Sequence, residues 1–559
     1  MNNWKLINSV HFNSAQVNVI TKTLTCQNIN FKNILFFLKI LHISWNIFII
    51  KMITKIEVGE FIMEKIYKLQ NGTDIRGVAY PNDEKEVTLT KVEVEKIARA
   101  FHVWLKEKTG KEKIVVAVGN DSRITGEEFR NTIIEALTSQ GCDVVNCKLS
   151  TTPSMFMTTV MEGYKCDGSI MITASHLPFF YNGLKFFTEN GGLEKTDIKA
   201  MLDIVCEGKT VEAAEKGSIS ERNLINDYAE VLVDKIRKGV NSESCYEKPF
   251  NGMKIIVDAG NGAGGFFAEK VLEKLGADTK GSQFLEPDGM FPNHIPNPEN
   301  KEAMASISKA VVDNKADLGI IFDTDVDRAA LVGKDGSFIN KNALIAVISE
   351  ILLEENPNTT IVTDSITSVG LAEFIENHGG KHHRFKRGYK NVINEAIRLN
   401  NEGEECHLAI ETSGHAAIKE NYFLDDGAYL IAKILIKAAK MAKEGKTIES
   451  LIADLKEAVE EKEVRIGINK EDFRPYAEQI LSELSVFVEE SENWSLVPKN
   501  YEGIRANCTG EGEDGWFLIR ISLHEPLLAL NIESNEVGGT EKIYATLKSF
   551  LENYDLKGL

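Results

Sequence analysis

The sequence predicts an α/β protein: three consecutive α/β domains with mixed sheets, followed by a smaller C-terminal α+β domain. Three observations carry that expectation. The chain has 559 residues, too many for one ordinary core. From Met63 onward a cycle of apolar strand, polar or glycine-rich loop and amphipathic helix recurs three times. Beyond residue 460 the cycle gives way to alternating strands flanked by two helices. The boundaries that follow are 1–62 for an atypical extension, 63–247, 248–350 and 351–460 for the three α/β domains, and 461–559 for the last.

The extension is rich in Asn, Ile, Lys and Phe, nearly free of Gly, and carries no acidic residue before Glu57. Its run from Ile34 to Ile50 is long enough to enter a membrane, but Lys39, His42 and Asn46 interrupt it. No small-residue cleavage site of signal-peptide type follows. Two readings are open, a membrane anchor or AT-rich upstream DNA read as protein. The second is preferred, with translation starting at Met63 behind a ribosome-binding sequence that would encode Gly59 and Glu60. N-terminal sequencing that found residues upstream of Met63 would contradict it.

In the first domain, Lys113–Gly119 reads as a buried strand and Glu127–Gly141 as a helix stopped by its glycine. A strand over Cys142–Ser150, a helix through Phe156–Met161, a strand over Gly168–Ser175 and a long helix over Asn223–Gly239 follow. The second domain opens with the strand and glycine loop Met253–Gly265, continues as a helix over Phe266–Gly276, and ends in two strands around DTDVDR, Asp323–Arg328. The third runs from the strand Thr359–Thr367 through the helix Ser368–Gly380 to HLAIETSGH, His407–His415. In the tail, Trp494–Cys508 and Gly515–Ser534 read as strands, between helices over Glu471–Leu484 and Thr540–Tyr554.

Apolar and charged fractions of 43% and 26% are those of a soluble globular protein, and a net charge of −19 argues against a nucleic-acid partner. The eight cysteines form no C-x-x-C pair, which fits reduced thiols in a cytoplasmic protein. No membrane partner is expected unless residues 34–50 are a genuine anchor.

DTDVDR concentrates the chemistry. Like charges ~4 Å apart repel by about 1 kcal/mol in water and roughly 4 kcal/mol in a partly shielded site, so something cationic belongs beside Asp323, Asp325 and Asp327. Oxygen ligands without His or Cys suit a hard ion such as Mg²⁺. Ser175 ends an apolar strand and is followed by His176, Pro178, Asn182, Gly183 and Lys185; a serine so placed can act as nucleophile or phosphate carrier beside a cation. No Gly-x-Ser-x-Gly elbow surrounds it. Glu411, Ser413 and His415 around a glycine turn suit vicinal sugar hydroxyls, or a helix-capping turn.

In FLIRISLH, period-two geometry puts Phe517, Ile519, Ile521 and Leu523 on one face and Arg520, Ser522 and His524 on the other. Arg520 and Ser522 make a phosphate clamp or an exposed polar strand end. Lys386, Arg387 and Lys390 around Gly388 offer a second anionic contact or a solvated basic turn, and His382 and His383 read as solvated. GNGAGG, Gly260–Gly265, matches the dinucleotide pattern G-x-G-x-x-G but reads as a packing turn, since nothing near it supports a nicotinamide site.

Singly these loops are ambiguous; their order is not. TASHLP with NGLKFF, then DTDVDR, ETSGH and RISLHEP, preceded by TDIRG (Thr73–Gly77) and NDSRITGEEF (Asn120–Phe129), resembles the α-D-phosphohexomutase family over the whole chain from about Met63. The resemblance implies four domains, each lending one loop to a central cleft. It implies Ser175 as the phosphoserine and a metal ligand, Asp323, Asp325 and Asp327 as the Mg²⁺ ligands, and Arg76, His176, Lys185 and Arg328 as supports of the phosphoryl group or proton transfer. Glu411 and Ser413 would contact sugar hydroxyls, with His415, Gly388 and Lys390 beside them as further substrate-binding candidates, and Arg520 and Ser522 would clamp the non-reacting phosphate.

The implied activity interconverts hexose 1-phosphate and hexose 6-phosphate, of glucose or mannose, through a phosphoserine enzyme and a hexose 1,6-bisphosphate that serves as intermediate and activator. Where the family's last loop has Gly or Asn and then Thr, this chain has Leu523 and His524. That departure bears on substrate choice. It also leaves two alternatives standing, a sugar-phosphate phosphatase and a non-catalytic sugar-phosphate-binding protein.

Overall fold

Among the described residues four β-sheets organise the protein, and in each of them one of the motif loops connects the strands of an antiparallel pair. The computed structural model describes residues 64–522 and 525–559, of which those from Leu69 onward form one body. In the first sheet the strands Gly168–Ile172, Val115–Asn120, Asp143–Leu149 and the exposed edge strand Ile219–Glu221 run parallel. Tyr181–Thr188 then returns antiparallel to Gly168–Ile172, so that the Ser175 segment is the connection between them, and Asp74–Val78 adds on its far side.

The second sheet repeats the device. Ile255–Asp258 and Leu318–Phe322 are parallel, Ala329–Gly333 returns antiparallel, and the Phe322–Ala329 pair closes a hairpin whose turn is Asp323–Arg328. In the third, Lys381–Arg384, Thr360–Thr363 and Cys406–Ile410 are parallel and Ala416–Ile418 returns, leaving Glu411–His415 as the turn. The fourth sheet is wholly antiparallel, in the order Trp494–Leu496, Ile504–Cys508, Gly515–Ile521, Leu527–Ser534, Glu460–Ile468, Leu556–Lys557. Its Arg520 loop connects the third and fourth of those strands. The expected class of three α/β domains with mixed sheets and a further C-terminal sheet domain is what the structure has.

One apolar core runs through the first three sheets, whereas the fourth closes its own core around Ile466, Ile480, Phe517, Leu530 and Leu547. The helix Leu224–Val240 belongs to the shared core. Its Tyr228 ring lies against Phe266, and its hydroxyl donates to Asp426 at 2.6–2.7 Å.

Several local expectations shift. The helix expected over 156–161 occupies Thr152–Met157, because Thr151 and Ser154 form a capping box with Pro153 in the first turn. Phe267–Glu273 winds as a π-helix. On the Gly515–Ile521 strand the face opposite Phe517 and Ile519 is also buried at Trp516 and Leu518, where Arg505 lies over the Trp516 ring at 3.6 Å. His382 and His383 are not free in solvent. His382 Nε2 bonds Thr363 Oγ1 at 2.8 Å and His383 Nε2 bonds Glu395 at 2.9 Å.

The seven cysteines among the described residues are free thiols. Among the described residues no helix is long and apolar enough to cross a membrane. The Ile34–Ile50 segment and residues 1–62 as a whole lie outside the described residues, as do Leu523 and His524.

Candidate active site

The serine turn is backbone-constrained. Ser175 is 3% exposed and sits at φ +49°, a region that non-glycine residues seldom adopt. Its Oγ donates to Asp323 Oδ2 at 3.0 Å, accepts from Arg328 Nη2 at 3.2 Å and lies 3.3 Å from His176 Nδ1. Burial, with the charges of Arg328, Arg76 and His415, pushes the His176 imidazole down to about 2, so that ring is neutral at physiological pH.

The aspartate hairpin is packed from behind by glycines. Ala263 N donates to the Thr324 carbonyl at 2.8 Å, and a Cβ on Gly262 would stand 2.6 Å from that same oxygen. GNGAGG is therefore a turn made small so that a second loop can lie on it. On the other side, Thr152 N donates to the Asp325 carbonyl at 2.9 Å, Thr152 Oγ1 donates to the Asp325 carboxylate, and Gly427 N donates to Val326 O at 3.1 Å. Val326 itself is fully buried at φ +65°, a strained setting for a β-branched residue.

Asp323, Asp325 and Asp327 are each 0% exposed and bring one oxygen apiece within 4.8 Å of one another. Lys185 Nζ donates to Asp327 Oδ2 at 2.9 Å, and Arg328 Nε donates to Asp323 Oδ2 at 3.1 Å. Two oxygens, Asp325 Oδ1 and Asp327 Oδ1, accept no hydrogen bond from the protein, although Arg328 and His415 stand 3.9 and 3.8 Å from Asp327 Oδ1. Burial and mutual repulsion raise the carboxyls of Asp323 and Asp325, whereas Lys185, His415 and Arg328 outweigh burial to hold Asp327 low. Orphaned hard oxygens in an under-neutralised cluster fit a divalent cation.

Arg76 donates to Asp74 at 2.9 Å, and Asp74 stands 3.9 Å from Lys185, so a row of alternating charges backs the cluster. Those carboxylates outweigh burial and raise Lys185 well above its ordinary value. Its amine is held as a cation against Asp327.

The third hairpin is stitched to the second by a backbone bridge between Arg328 and His415. His415 Nδ1 meets Asp425 at 2.5 Å and Asp327 at 3.8 Å, and its ring stacks on Tyr389. Against burial, Asp425 and Asp327 push its imidazole up to about 9. Glu411 Oε1 accepts from the backbone N of Gly388 at 2.5 Å, and Ser413 Oγ lies 3.5 Å from its other oxygen. Gly388, which precedes the helix Tyr389–Asn401, sits at φ +115°, a conformation open to glycine. Lys390 turns away from this group, to Gly192 O at 2.7 Å and Glu194 at 2.9 Å on the first domain.

Arg520 and Ser522 stand at the end of their strand as expected, with Ser522 Oγ accepting from Glu525 N at 3.3 Å and Arg520 Nε lacking a protein partner. Neither bonds directly to the serine or aspartate turns. The fourth domain is instead anchored at its seam. Arg505 donates to Ser365 O at 2.6 Å and Thr367 O at 2.9 Å, while Glu502 accepts from Ser365 Oγ at 2.6 Å and from Arg387 N at 3.1 Å.

Sequence reasoning did not single out Asp74, Arg123, Thr152, Asn297, Glu299, Tyr389 or Asp425. Asn297 Oδ1 accepts from Arg328 at 3.3 Å and Glu299 stands 3.5 Å from it. Two of them lie inside motifs quoted for the resemblance, Asp74 in TDIRG and Arg123 in NDSRITGEEF.

Three α/β/α units with matching hairpin turns, and a fourth sheet with its own core, define the α-D-phosphohexomutase class. Known proteins agree. Family models described as phosphoglucomutase/phosphomannomutase, alpha/beta/alpha domains I, II and III, match residues 68–210, 230–336 and 340–458. A phosphoglucomutase of Neisseria meningitidis serogroup A is 30% identical over 482 residues, 86% of this chain and 96% of its own. A phosphoglucomutase/phosphomannomutase of Thermococcus kodakarensis is 30% identical over 84% of this chain and 94% of its own. The crystal structure of a family protein from Burkholderia thailandensis superposes with a TM-score of 0.71 at 26% identity, covering 86% of this chain and 96% of that one. The chain belongs to the phosphoglucomutase/phosphomannomutase family. It is a phosphohexomutase, an isomerase of carbohydrate metabolism that acts on hexose phosphates.

Proposed function

We propose that the protein interconverts the 1- and 6-phosphates of glucose, mannose or both in the cytoplasm, through a phosphorylated Ser175 and a hexose 1,6-bisphosphate. The observation that carries this reading is Ser175 Oγ, bonded at once to Asp323 at 3.0 Å and Arg328 at 3.2 Å. A phosphoryl group on that oxygen would meet a guanidinium on one side and the aspartate cluster on the other. When bound on Asp323, Asp325 and Asp327, Mg²⁺ would supply charge neutralisation to the phosphoryl oxygens.

The chain's own residues do the rest. In the forward half-reaction the free sugar hydroxyl bonds to phosphorus as the Ser175 Oγ–P bond breaks, and the proton lost by the sugar hydroxyl is taken up by the released Ser175 oxygen. The reverse half-reaction returns the other phosphate of the bisphosphate to Ser175. Arg328 positions the group in transfer, Lys185 and Arg76 hold Asp327 and Asp74 in place, and neutral His176 adds no competing charge. Glu411 and Ser413, with Gly388 and His415 around them, are the proposed sugar-hydroxyl contacts. Arg520 and Ser522 are the proposed clamp for the idle phosphate, which must accept either end of the sugar. The division at residues 247, 350 and 460 then gives each domain one loop of the cleft.

Two treatments test the reading. Ser175→Ala lowers turnover at least 10⁴-fold with the fold intact, and EDTA abolishes activity that Mg²⁺ restores. Substantial turnover by the serine variant would overturn the role given to Ser175.

A further inference from the structure

Arg123 is 2% exposed, lies outside the aspartate cluster and is spent almost wholly on the serine turn. Its Nη1 donates to Pro178 O at 2.9 Å and Tyr181 O at 2.8 Å; its Nη2 donates to Leu177 O at 2.6 Å and to the carbonyl of Ser175 itself. One planar fork therefore gathers four carbonyls of a single connection, which no other side chain's donor geometry could do.

The guanidinium is fixed from two more directions. Asp121 stands 3.5 Å from its Nε and Asp121 Oδ1 accepts from the Arg123 backbone N at 2.9 Å, so the side chain is tethered to its own turn. The Phe291 ring, from the second domain, covers the guanidinium at 5.3 Å. That ring sits on the same connection, residues 286–300, that delivers Asn297 and Glu299 to Arg328. Both cations that border Ser175 are thus steadied by one segment of the second domain.

Positive φ at a non-glycine residue persists only where the surroundings over-determine it. Ser175 Cβ would otherwise relax toward an ordinary region and carry Oγ away from Asp323 and Arg328. We infer that Arg123 is a positioning residue for phosphoryl transfer: it holds the serine turn in its left-handed conformation and so aims Oγ, without touching substrate. This rests on the reading of Ser175 as the phosphoryl carrier. It adds a residue 52 positions upstream whose loss leaves substrate contacts whole.

The test compares wild type, Arg123→Lys, Arg123→Ala and Ser175→Ala, each with its melting curve. It follows the rate of Ser175 phosphorylation by hexose 1,6-bisphosphate, read by intact mass, together with kcat and KM for the hexose 1-phosphate. Lysine retains volume and charge but cannot bridge four carbonyls. Arg123→Lys is expected to fold, to lose about 100-fold in phosphorylation rate and kcat, as a misplacement of ~1 Å does, and to change KM less than threefold. Added guanidinium ion is expected to restore at least 10-fold of the activity lost by Arg123→Ala, with equal concentrations of sodium ion ineffective.

A folded Arg123→Lys with phosphorylation and kcat within threefold of wild type overturns the inference. So does a loss that falls on KM, or one in the alanine variant that guanidinium leaves unrepaired. Should Arg123→Ala not fold, the lysine variant decides alone. Failure of the underlying reading looks different: wild type itself would acquire no phosphate on Ser175.

Discussion

Asp325 shows at the scale of one residue how function and stability oppose each other. Its carboxyl is fully buried among two others, with one oxygen unpartnered, and burial and repulsion raise its pKa. Two like charges at ~4 Å cost about 1–4 kcal/mol depending on shielding. Asp325→Asn keeps an oxygen for Thr152 but removes the charge. In EDTA the variant is expected to be more stable than wild type by about 1 kcal/mol in urea denaturation, and to need far more Mg²⁺ for half-maximal activity. Equal Mg²⁺ requirements would remove Asp325 from the metal site. Glu411 supplies a pH prediction. Burial first, then the charge of Asp364, raise its carboxyl to about 7. Accepting sugar O–H protons favours the carboxylate, so KM is expected to rise as pH falls through 7. In Glu411→Gln the KM should be higher throughout and should lose that part of the pH dependence, while the substrate phosphate's own ionisation persists.

At the scale of the element, the hairpin turn is the working unit, and how far it was legible depended on its chemistry. DTDVDR, TASH and ETSGH could be read because reactive residue types crowd into each turn at the end of an apolar run. GNGAGG was legible as a packing turn for a similar reason. Gly262 is expected to be intolerant of Ala: a Cβ 2.6 Å from Thr324 O must displace the aspartate hairpin. The loss should be about 1–3 kcal/mol in denaturant unfolding, as for other overpacked sites, together with a reduced kcat. Arg123, Thr152 and Glu299 escaped notice because each is a single polar residue whose partner lies on another element. Thr152 and Asp325, for instance, are 173 positions apart. Lys390 misled in the opposite way, since a basic residue beside a site turn is drawn equally well to Glu194 on a neighbouring domain. The strand Glu460–Ile468 was missed because charged residues fill its first half, which weakens the alternation that marks a strand.

Over the whole molecule, the separate core of the fourth sheet makes its junction with the third domain a seam between independently packed units. Its attachment is polar and concentrated. Arg505→Ala strands two buried carbonyls, at Ser365 and Thr367, and uncovers Trp516. We expect a loss of roughly 2–4 kcal/mol, seen by tryptophan fluorescence as early unfolding of the fourth domain. KM is expected to rise more than kcat falls. A single unchanged transition would show that the seam contributes little. The order of the motifs along the chain, more than any one of them, made the family readable before the structure; the seam was unreadable because it joins residues 138–140 positions apart by backbone carbonyls.

The central claim is that the phosphate of a hexose changes position through Ser175 rather than being released to water. A phosphorus NMR time course of the protein, with α-glucose 1-phosphate or α-mannose 1-phosphate, Mg²⁺ and a trace of hexose 1,6-bisphosphate, tests it most directly. The account predicts that the 6-phosphate resonance grows at the expense of the 1-phosphate with total sugar phosphate constant, and that Ser175→Ala shows no such growth. Inorganic phosphate accumulating in place of the 6-phosphate would contradict the claim and make the protein a phosphatase.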